Sequence, residues 1–340
     1  MDPIELTRAL VPLASPTGAE GPAVDYLAGV LDRAGYRVRR QPVGPGRDNL
    51  YAWREPPELV FSTHLDCVPP FVPLREDDTF LYGRGSCDAK GIAAAMTAAA
   101  ERLAARGERR IGLLFLVGEE DGSDGAREAV KLEPRGRFVV NGEPTENVLV
   151  TGSKGSMRVD LEATGRAAHS AYPSEGESAI LPLLETIRRI RRLPTPFDPR
   201  LGETTLNIGT IAGGVAPNVI PPAARAQLLY RTVQPTDALK RAVLGCLEPG
   251  VTATFATEIP PLTAPSLPGW ESTVVSYASD LPFLAGPFGE GYMLGPGTIR
   301  VAHTDEERIA KAELVEAVER YVRLATDLLG GPAASTDARA

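Results

Sequence analysis

The sequence predicts an α/β protein with a mostly parallel sheet covered by helices on both faces, interrupted by a ferredoxin-like α+β domain. Apolar runs such as Ile111–Val117 alternate with helical segments, which is typical of a central parallel sheet. From about Lys154 the predicted elements follow the order β-α-β-β-α-β, the ferredoxin-like order. The 340 residues also exceed the usual size of one compact core. We therefore predict two domains, one inserted into the other.

The predicted boundaries follow this change of pattern. The first, discontinuous domain comprises residues 1–153 and 263–330, the inserted domain comprises 154–262, and the small, polar residues 331–340 are predicted to be a disordered tail. The stretch from 264 to 296 is rich in Pro, Gly and Ser, and we interpret it as the return to the first domain. A closing helix is predicted at 312–328.

Local signals define the elements. Gly35 ends an amphipathic helix and Gly107 an alanine-rich one, Pro42 and its charged neighbours mark an edge strand, and unbroken apolar runs mark strands buried on both faces. The first domain is predicted to contain helices 2–14 and 20–35, strands 38–43, 49–53 and 59–63, helix 92–106, and strands 111–117 and 138–140. The inserted domain is predicted to contain strand 157–163, helix 178–193, strands 205–211 and 224–233, helix 236–247 and strand 251–257.

The composition predicts a cytoplasmic enzyme. A formal charge of −8 and a pI near 5.2 argue against a nucleic-acid or membrane-surface partner. No apolar run reaches the ~18–20 residues of a membrane span, and Met1–Glu5 lacks the pattern of a secretion signal. The three cysteines do not make a disulfide framework. We interpret Cys67 and Cys87 as buried apolar fillers rather than metal ligands.

Polar residues collect where the predicted buried strands end. His64 and Asp66 point to the same face of their strand, so the Asp66 carboxylate can accept the second ring N–H of His64. Glu119 and Glu120 follow the next strand, and Glu143 follows the one after it. An isolated His-x-Asp pair more often ends a surface strand. Ligands of parallel sheets, however, bind at the carboxyl ends of the strands, which favours a site here.

The glycine-rich stretch Gly83–Gly91 leads into a helix and invites comparison with phosphate-binding loops. It does not match them, because Asp88 stands where the third glycine of a dinucleotide fingerprint belongs and no Gly-Lys-Ser/Thr follows. From the residues alone, Asp88 is either the N-cap of the helix or a metal ligand.

The three histidines, His64, His169 and His303, all lie in loops or at strand ends among small and acidic residues. These settings favour function over a place in the core. If His64, His303 and the nearby carboxylates share one crevice, cations must offset the negative charge. Imidazole and carboxylate ligands suit Zn²⁺, with Co²⁺ or Mn²⁺ as substitutes, and their number indicates two ions. Of Glu119 and Glu120, one can bind while the other serves as a base.

These motifs resemble the M20 family of zinc-dependent amidohydrolases and exopeptidases, which includes acetylornithine deacetylase and succinyl-diaminopimelate desuccinylase. The resemblance spans residues 64 to 304 in family order, although the chain is shorter than many members. The matching stretches are His64-Leu-Asp66, Gly83-Arg-Gly85 through Asp88-Ala-Lys-Gly91, Gly118 to Gly125, Gly142-Glu-Pro144, Gly165 to Pro173, Asn218-Val-Ile-Pro221 and Ala302-His-Thr304.

The resemblance implies a dinuclear zinc site with five ligands. Asp88 is expected to bridge the two ions. His64 and Glu143 are expected to complete one site, and Glu120 and His303 the other.

The resemblance also implies the roles of the remaining residues. Asp66 is expected to orient His64, and Glu119 to act as the general base that takes a proton from water and delivers it to the leaving amine. The inserted domain is expected to be a lid and a homodimer interface, with His169 reaching the partner's site to stabilise the oxyanion. Four residues are expected to hold the substrate carboxylate: Asn218, Arg231, Gly295 and Gly297.

The first functional hypothesis is a dinuclear zinc hydrolase of a small N-acyl-L-amino acid. The Gly-Pro-Gly…Ala-His-Thr-Asp-Glu ending resembles acetylornithine deacetylase, so we predict an N-acetyl-amino-acid deacetylase. A succinyl-diaminopimelate desuccinylase or an M20-type dipeptidase or carboxypeptidase is the alternative. A metal-stabilised binding protein on a degenerate scaffold is disfavoured by the presence of Glu119. Serine hydrolases and zincins are disfavoured because Gly-x-Ser-x-Gly and His-Glu-x-x-His do not occur.

Overall fold

The computed structural model describes residues 1–330, so the predicted tail lies outside the described residues. Within this range no helix is both long and apolar enough to cross a bilayer. The helices of the described chain are α1 (Pro3–Leu10), α2 (Gly21–Arg33), α3 (Lys90–Ala105), α4 (Asp124–Ala129), α5 (Ile180–Ile190), α6 (Asp237–Leu244), α7 (Leu281–Leu284) and α8 (Lys311–Leu329). The strands are β1 (Arg37–Gly44), β2 (Arg47–Trp53), β3 (Leu59–His64), β4 (Arg75–Glu76), β5 (Phe80–Tyr82), β6 (Ile111–Leu116), β7 (Phe138–Asn141), β8 (Leu149–Ser153), β9 (Gly155–Thr164), β10 (Phe197–Asp198), β11 (Gly202–Glu203), β12 (Thr205–Gly213), β13 (Ala223–Thr232), β14 (Val251–Ile259), β15 (Leu262–Thr263), β16 (Ser272–Val275), β17 (Glu290–Met293) and β18 (Arg308–Ala310).

The chain divides into two compact units. The first unit comprises Met1–Thr151, Ala264–Thr273 and the described chain from Ser279 onward. The second unit comprises Gly152–Thr263 together with Val274–Ala278. Compared with the boundaries predicted from the sequence, the second unit begins two residues earlier and also includes this short later segment.

The large sheet of the first unit is parallel at its centre and antiparallel towards its margins. Its strands follow the order β1-β2-β6-β3-β7-β17-β8. Strands β6, β3, β7 and β17 are parallel, whereas β1, β2 and β8 run antiparallel to their neighbours. The predicted α/β class is confirmed, with the parallel arrangement limited to four strands. One of these, β17, lies in the Gly- and Pro-rich return segment, whose composition gives no strand signal.

Helices cover both faces of this sheet. Successive residues of a strand point to opposite faces, so a strand that is apolar throughout needs a helix layer on each side. Leu113 and Phe115 of β6 share one core with α1, α2, α3 and α8. Leu114, between them, is buried on the opposite face, where α4 and α7 pack on each other and on the strands. Helix α3 is rich in alanine and almost wholly buried, so it lies close to β3 and β6. This rigid helix begins directly after the loop that carries Asp88.

The second unit has the predicted ferredoxin-like arrangement. Its antiparallel sheet has the order β12-β13-β9-β14, and the apolar residues of α5 and α6 form one core with the inward-facing residues of the strands. A short β10–β11 hairpin, not predicted from the sequence, precedes β12. Within this sheet β12 pairs only with β13, so it is an edge strand.

Candidate metal centre

Three neighbouring parallel strands end at one edge of the large sheet and place ligand-type residues there. His64 is the last residue of β3. Glu119 and Glu120 lie in a 3-10 turn shortly after β6, and Glu143 follows β7 by two residues. The common strand direction, which the apolar runs predict, therefore brings these four side chains to the same edge.

Two groups of ligand atoms form in the first unit, each with its atoms within 4.8 Å of one another: His64, Asp88 and Glu143, and Asp88, Glu120 and His303. Asp88 belongs to both groups. Its Oδ1 lies 3.0 Å from Nε2 of His64, and its Oδ2 lies 3.4 Å from Nε2 of His303. The N-cap of α3 is Ala89, not Asp88. The buried Asp88 carboxylate thus faces both histidines, the arrangement that a bridging ligand needs.

The ring of His64 is oriented by the backbone of Asp66. Its Nδ1 lies 3.0 Å from the Asp66 carbonyl oxygen, whereas the nearest carboxylate oxygen of Asp66 is 3.4 Å away. Because a carbonyl oxygen can only accept, Nδ1 carries the proton in the neutral ring and Nε2 presents its lone pair. The sequence predicts this orientation but assigns it to the carboxylate of Asp66.

The carboxylate of Asp66 is mainly engaged elsewhere. It is fully buried and accepts hydrogen bonds from the backbone N–H groups of Glu119 and Glu120, both at 3.1 Å, and from the Thr17 hydroxyl at 2.8 Å. One aspartate therefore links the strand end that carries His64 to the turn that carries both glutamates. The turn is compact because Gly118 and Gly122 adopt positive φ angles.

The loop after β6 also depends on residues that sequence reasoning missed. Arg47 donates hydrogen bonds to the carboxylates of Glu20 and Asp124. Asn49 accepts the N–H of Val117 at 3.2 Å and donates to the carbonyl of Gly125 at 2.8 Å. These contacts fix both ends of the loop that contains Glu119 and Glu120. Nothing in the sequence marks an arginine or an asparagine on a strand for this task.

Burial and mutual repulsion raise the pKa values of several acids. Burial raises the pKa of Glu143 and of Glu119 well above the usual range. Asp280, which the sequence analysis did not single out, is buried directly before α7, and burial raises its pKa to about 7. The charge of Asp280 in turn contributes to the raised pKa of both glutamates. A single aspartate before a four-residue helix gave no signal in the sequence.

The histidines respond to the same excess of negative charge. Burial alone would lower the pKa of His64, but its contacts with Asp66 and Asp88 outweigh this effect and raise it. Hydrogen bonds to Asp88 and Glu120 raise the pKa of His303 to about 10. Both shifts have the same cause, the negative charge of the carboxylates that surround the two rings.

The donor atoms fit a hard or borderline divalent cation. The side-chain N–H₂ of Asn141 donates to a carboxylate oxygen of Glu143 at 3.1 Å, and the side-chain oxygen of Asn141 is buried without a hydrogen-bond partner among the described residues. Cys67 and Cys87 are free and buried, and burial raises the pKa of the Cys67 thiol to about 12. The candidate ligands are thus imidazole nitrogens and carboxylate oxygens rather than thiolates, a set that suits zinc, cobalt or manganese.

The other predicted site residues lie in two places. In the second unit His169 is exposed, and its neighbour Ser170 donates a backbone hydrogen bond to the Asn218 carbonyl at 3.0 Å. Arg231 lies on β13, opposite Ser156 and Thr205 on the flanking strands.

Gly295 and Gly297 are buried in the first unit, close to the chain around Glu143. The backbone N–H of Gly295 donates to the Thr145 hydroxyl at 3.0 Å, so it already has an intramolecular partner. Gly297 has a φ of +84°, and a Cβ at this position would lie 2.5 Å from the Cys87 sulfur. Whether these two glycines and the three residues of the second unit bind substrate stays a prediction.

The role of Asp66 leads to a test. We expect Asp66→Asn to lower zinc affinity about 10- to 100-fold, because the turn with Glu119 and Glu120 loses one of its two acceptor oxygens and the negative charge. Thr17→Val is the matched control, since it removes one hydrogen bond to the same carboxylate and should have a much smaller effect. Titration of metal-depleted protein with zinc measures both. Equal affinities for wild type and Asp66→Asn would contradict this role.

Comparison with known proteins shows the family. The model of Peptidase family M20/M25/M40 matches residues 60–327. A probable carboxypeptidase of Aspergillus fumigatus is 38% identical over 93% of this chain and 84% of its own length. A tripeptidase of Staphylococcus aureus shares the fold with a TM-score of 0.76 at 22% identity, covering 95% of this chain and 96% of that one. A dinuclear metal-binding M20 peptidase of Bacillus subtilis shares it with a TM-score of 0.68 at 14% identity, covering 96% and 98%. The chain belongs to the M20/M25/M40 peptidase family and is a hydrolase of amide bonds.

Proposed function

We propose that this chain is a dinuclear metallo-exopeptidase that cleaves short peptides at the C-terminal residue. The observation that carries the proposal is the shared position of Asp88 between two histidine–carboxylate groups, with Glu119 on the adjoining turn. The carboxypeptidase specificity is supported by the name of the Aspergillus relative, which is similar over most of both chains.

Five residues would hold two zinc ions, with cobalt or manganese as substitutes: His64, Asp88, Glu120, Glu143 and His303. When bound, the ions would polarise the scissile carbonyl and lower the pKa of water. The protein itself keeps the ligands in place before the metal arrives, because Asp66 and Asn141 already fix His64, the glutamate turn and Glu143.

Glu119 would move the proton. It lies beside the ligand Glu120, yet it belongs to neither ligand group. Burial raises its pKa, which makes its carboxylate a better proton acceptor. In the proposed reaction it takes a proton from the attacking water and transfers it to the leaving amine nitrogen.

The second unit would recognise the substrate. We assign the substrate's terminal carboxylate to Arg231, whose guanidinium can bind it bidentately. Asn218 lies in the β12–β13 connection, at the other end of β13 and next to the segment of His169, so it would reach this carboxylate from a partner subunit. Gly295 and Gly297 would contribute backbone N–H groups, which for Gly295 requires release of the Thr145 hydroxyl. His169 of a partner subunit would stabilise the oxyanion.

An N-acyl-amino-acid deacetylase is the second candidate. Its substrate also carries a free carboxylate next to the scissile amide, so the same ligands and base would serve it. The Gly295-Pro-Gly297 and Ala302-His-Thr stretches, which resemble the acetylornithine deacetylase branch, favour it. The two candidates differ in the size of the group on the nitrogen side of the amide.

We also propose that the second unit forms a homodimer. Its edge strand β12 leaves one side without a partner strand in this sheet, and such edges are sites of strand pairing. Apolar side chains are exposed there and on α5, among them Ile211, Val215 and Leu181. Burying them against a second copy would remove this apolar surface from water.

Light scattering on separated protein tests the dimer. We expect wild type and His169→Ala to be dimers and Ile211→Asp to be monomeric, because a charge on the edge strand opposes its pairing. Leu244→Asp is the matched control, an exposed apolar residue on α6 that should leave the dimer intact. His169→Ala should lose most activity as a dimer. A monomeric wild type with full activity would refute the cross-subunit role.

A kinetic experiment tests the role of Glu119 as the general base. We expect Glu119→Gln to retain both metal ions and to lose about 10²- to 10⁴-fold in kcat, the usual contribution of a general base. Asp121→Asn, in the same turn but exposed, serves as the control. Metal analysis and steady-state kinetics on the same preparations give the result. Near-normal turnover of Glu119→Gln would require another base.

A substrate panel separates the two candidates. We expect dipeptides and tripeptides with a free C-terminal carboxylate to be cleaved in the presence of zinc or cobalt. Their C-terminal amides should have kcat/KM values about 10- to 100-fold lower, because the negative charge and one of the two oxygens that would accept hydrogen bonds from Arg231 are lost. Cleavage of N-acetyl-ornithine, -citrulline, -lysine or -glutamate without cleavage of peptides would instead establish the deacetylase.

A further inference from the structure

We infer that Glu307, paired with Arg84, is a positioning residue that holds the shared ligand Asp88 in place and joins it to the segment of His303. This inference rests on the proposed metal site. Neither residue belongs to the ligand groups, and neither has a part in the proposed chemistry.

The carboxylate of Glu307 accepts hydrogen bonds from the backbone of the loop that carries Asp88. Its Oε1 accepts the N–H groups of Gly85 at 2.9 Å, Cys87 at 3.2 Å and Asp88 at 3.1 Å. The side chain of Glu307 is fully buried. Three N–H groups that converge on one oxygen define the path of the loop, because each constrains a different peptide plane.

The other oxygen of Glu307 is held by a buried cation. Its Oε2 accepts a hydrogen bond from a terminal nitrogen of Arg84 at 2.5 Å, and only 3% of the Arg84 side chain is exposed. Arg84 also donates to the carbonyl oxygens of Pro70 and Thr304, both at 3.2 Å. The pair is thus fully desolvated, and loss of either charge leaves the other buried without compensation.

The same pair joins the two chain segments that supply ligands to the second metal group. Glu307 follows His303 by four residues, and its backbone carbonyl accepts the N–H of Gly83 at 3.0 Å. The contact of Arg84 with Thr304 places a second link next to His303. The Arg84–Glu307 ion pair and these two hydrogen bonds therefore fix the segments of Asp88 and His303, far apart in sequence, relative to each other.

The position of Asp88 matters more than that of any other ligand, because its two oxygens face different histidines. A small rotation of its loop would change both proposed metal positions at once. Residues that orient metal ligands typically change metal affinity 10- to 100-fold when they are replaced. We assign Glu307 to this class rather than to fold stability alone.

The neighbouring residue offers a matched control. Glu306 is also a glutamate, but its side chain is 69% exposed and pairs with Arg75 at the surface. Glu306→Gln and Glu307→Gln make the same chemical change one residue apart. Only the second removes charge from the buried loop contact.

The experiment uses the full chain, depleted of metal and titrated with Co²⁺, whose absorption spectrum reports ligand geometry, and with Zn²⁺. We expect Glu307→Gln to bind at least one ion about 10- to 100-fold more weakly and to show an altered cobalt spectrum. Glu306→Gln should match wild type. Folding is checked by circular dichroism at the titration temperature. A folded Glu307→Gln with wild-type metal affinity and spectrum overturns the inference.

If Glu307→Gln does not fold, Arg84→Lys provides the second variant. It keeps the positive charge but loses the planar fork that holds Glu307 and two carbonyls. We expect at least a threefold loss of metal affinity in the folded protein, and an unchanged affinity overturns the inference. Failure of the proposed metal site can be distinguished from failure of this inference. In the first case the wild type itself binds no metal, whereas in the second the wild type and the folded variant bind metal equally well.

Discussion

The structure of the first unit depends on the cost of holding several carboxylates together away from water. Asp88, Glu119, Glu143 and Asp280 are buried or half-buried near one edge of the sheet, and burial raises the pKa of the last three. Such a cluster persists only where positive charge offsets it. Divalent cations bound by the neighbouring histidines and carboxylates would supply that charge. The site is therefore arranged for cations.

Two further carboxylates serve the site without being ligands. Asp66 accepts the N–H groups of the turn after β6, and Glu307 accepts those of the loop before α3. In each case a buried carboxylate binds backbone N–H groups and so fixes a loop that carries ligands. The loops themselves are short and rich in glycine, which lets them approach closely but does not stabilise one conformation. The buried acids provide that stability.

The rigid support beneath these loops comes from ordinary packing. Helix α3 starts at Lys90 and lies buried against β3 and β6. The loop that carries Asp88 runs directly into this helix, so the packing of α3 holds that end of the loop in place. The strands that precede or carry these residues, β3 for His64, β6 for Glu119 and β7 for Glu143, are neighbours in a parallel sheet. The second unit has its own core and an open edge strand, features that suit recognition and association rather than catalysis.

The sequence by itself determined the α/β class, the ferredoxin-like order and the residues that gather at the strand ends. Periodicity and strand direction are local properties, and they were enough to bring His64, Glu119 and Glu143 to one edge. Only the tertiary structure decided that Asp88 faces two histidines, that the Asp66 carbonyl orients His64, and that Glu307 holds the loop of Asp88. The contacts of Asp88 and Glu307 join segments far apart in the chain, and hydrogen-bond partners at such separations leave no periodic signal in the sequence. The contact of His64 with Asp66 is local, but the alternation of side chains along a strand carries no information about a backbone carbonyl.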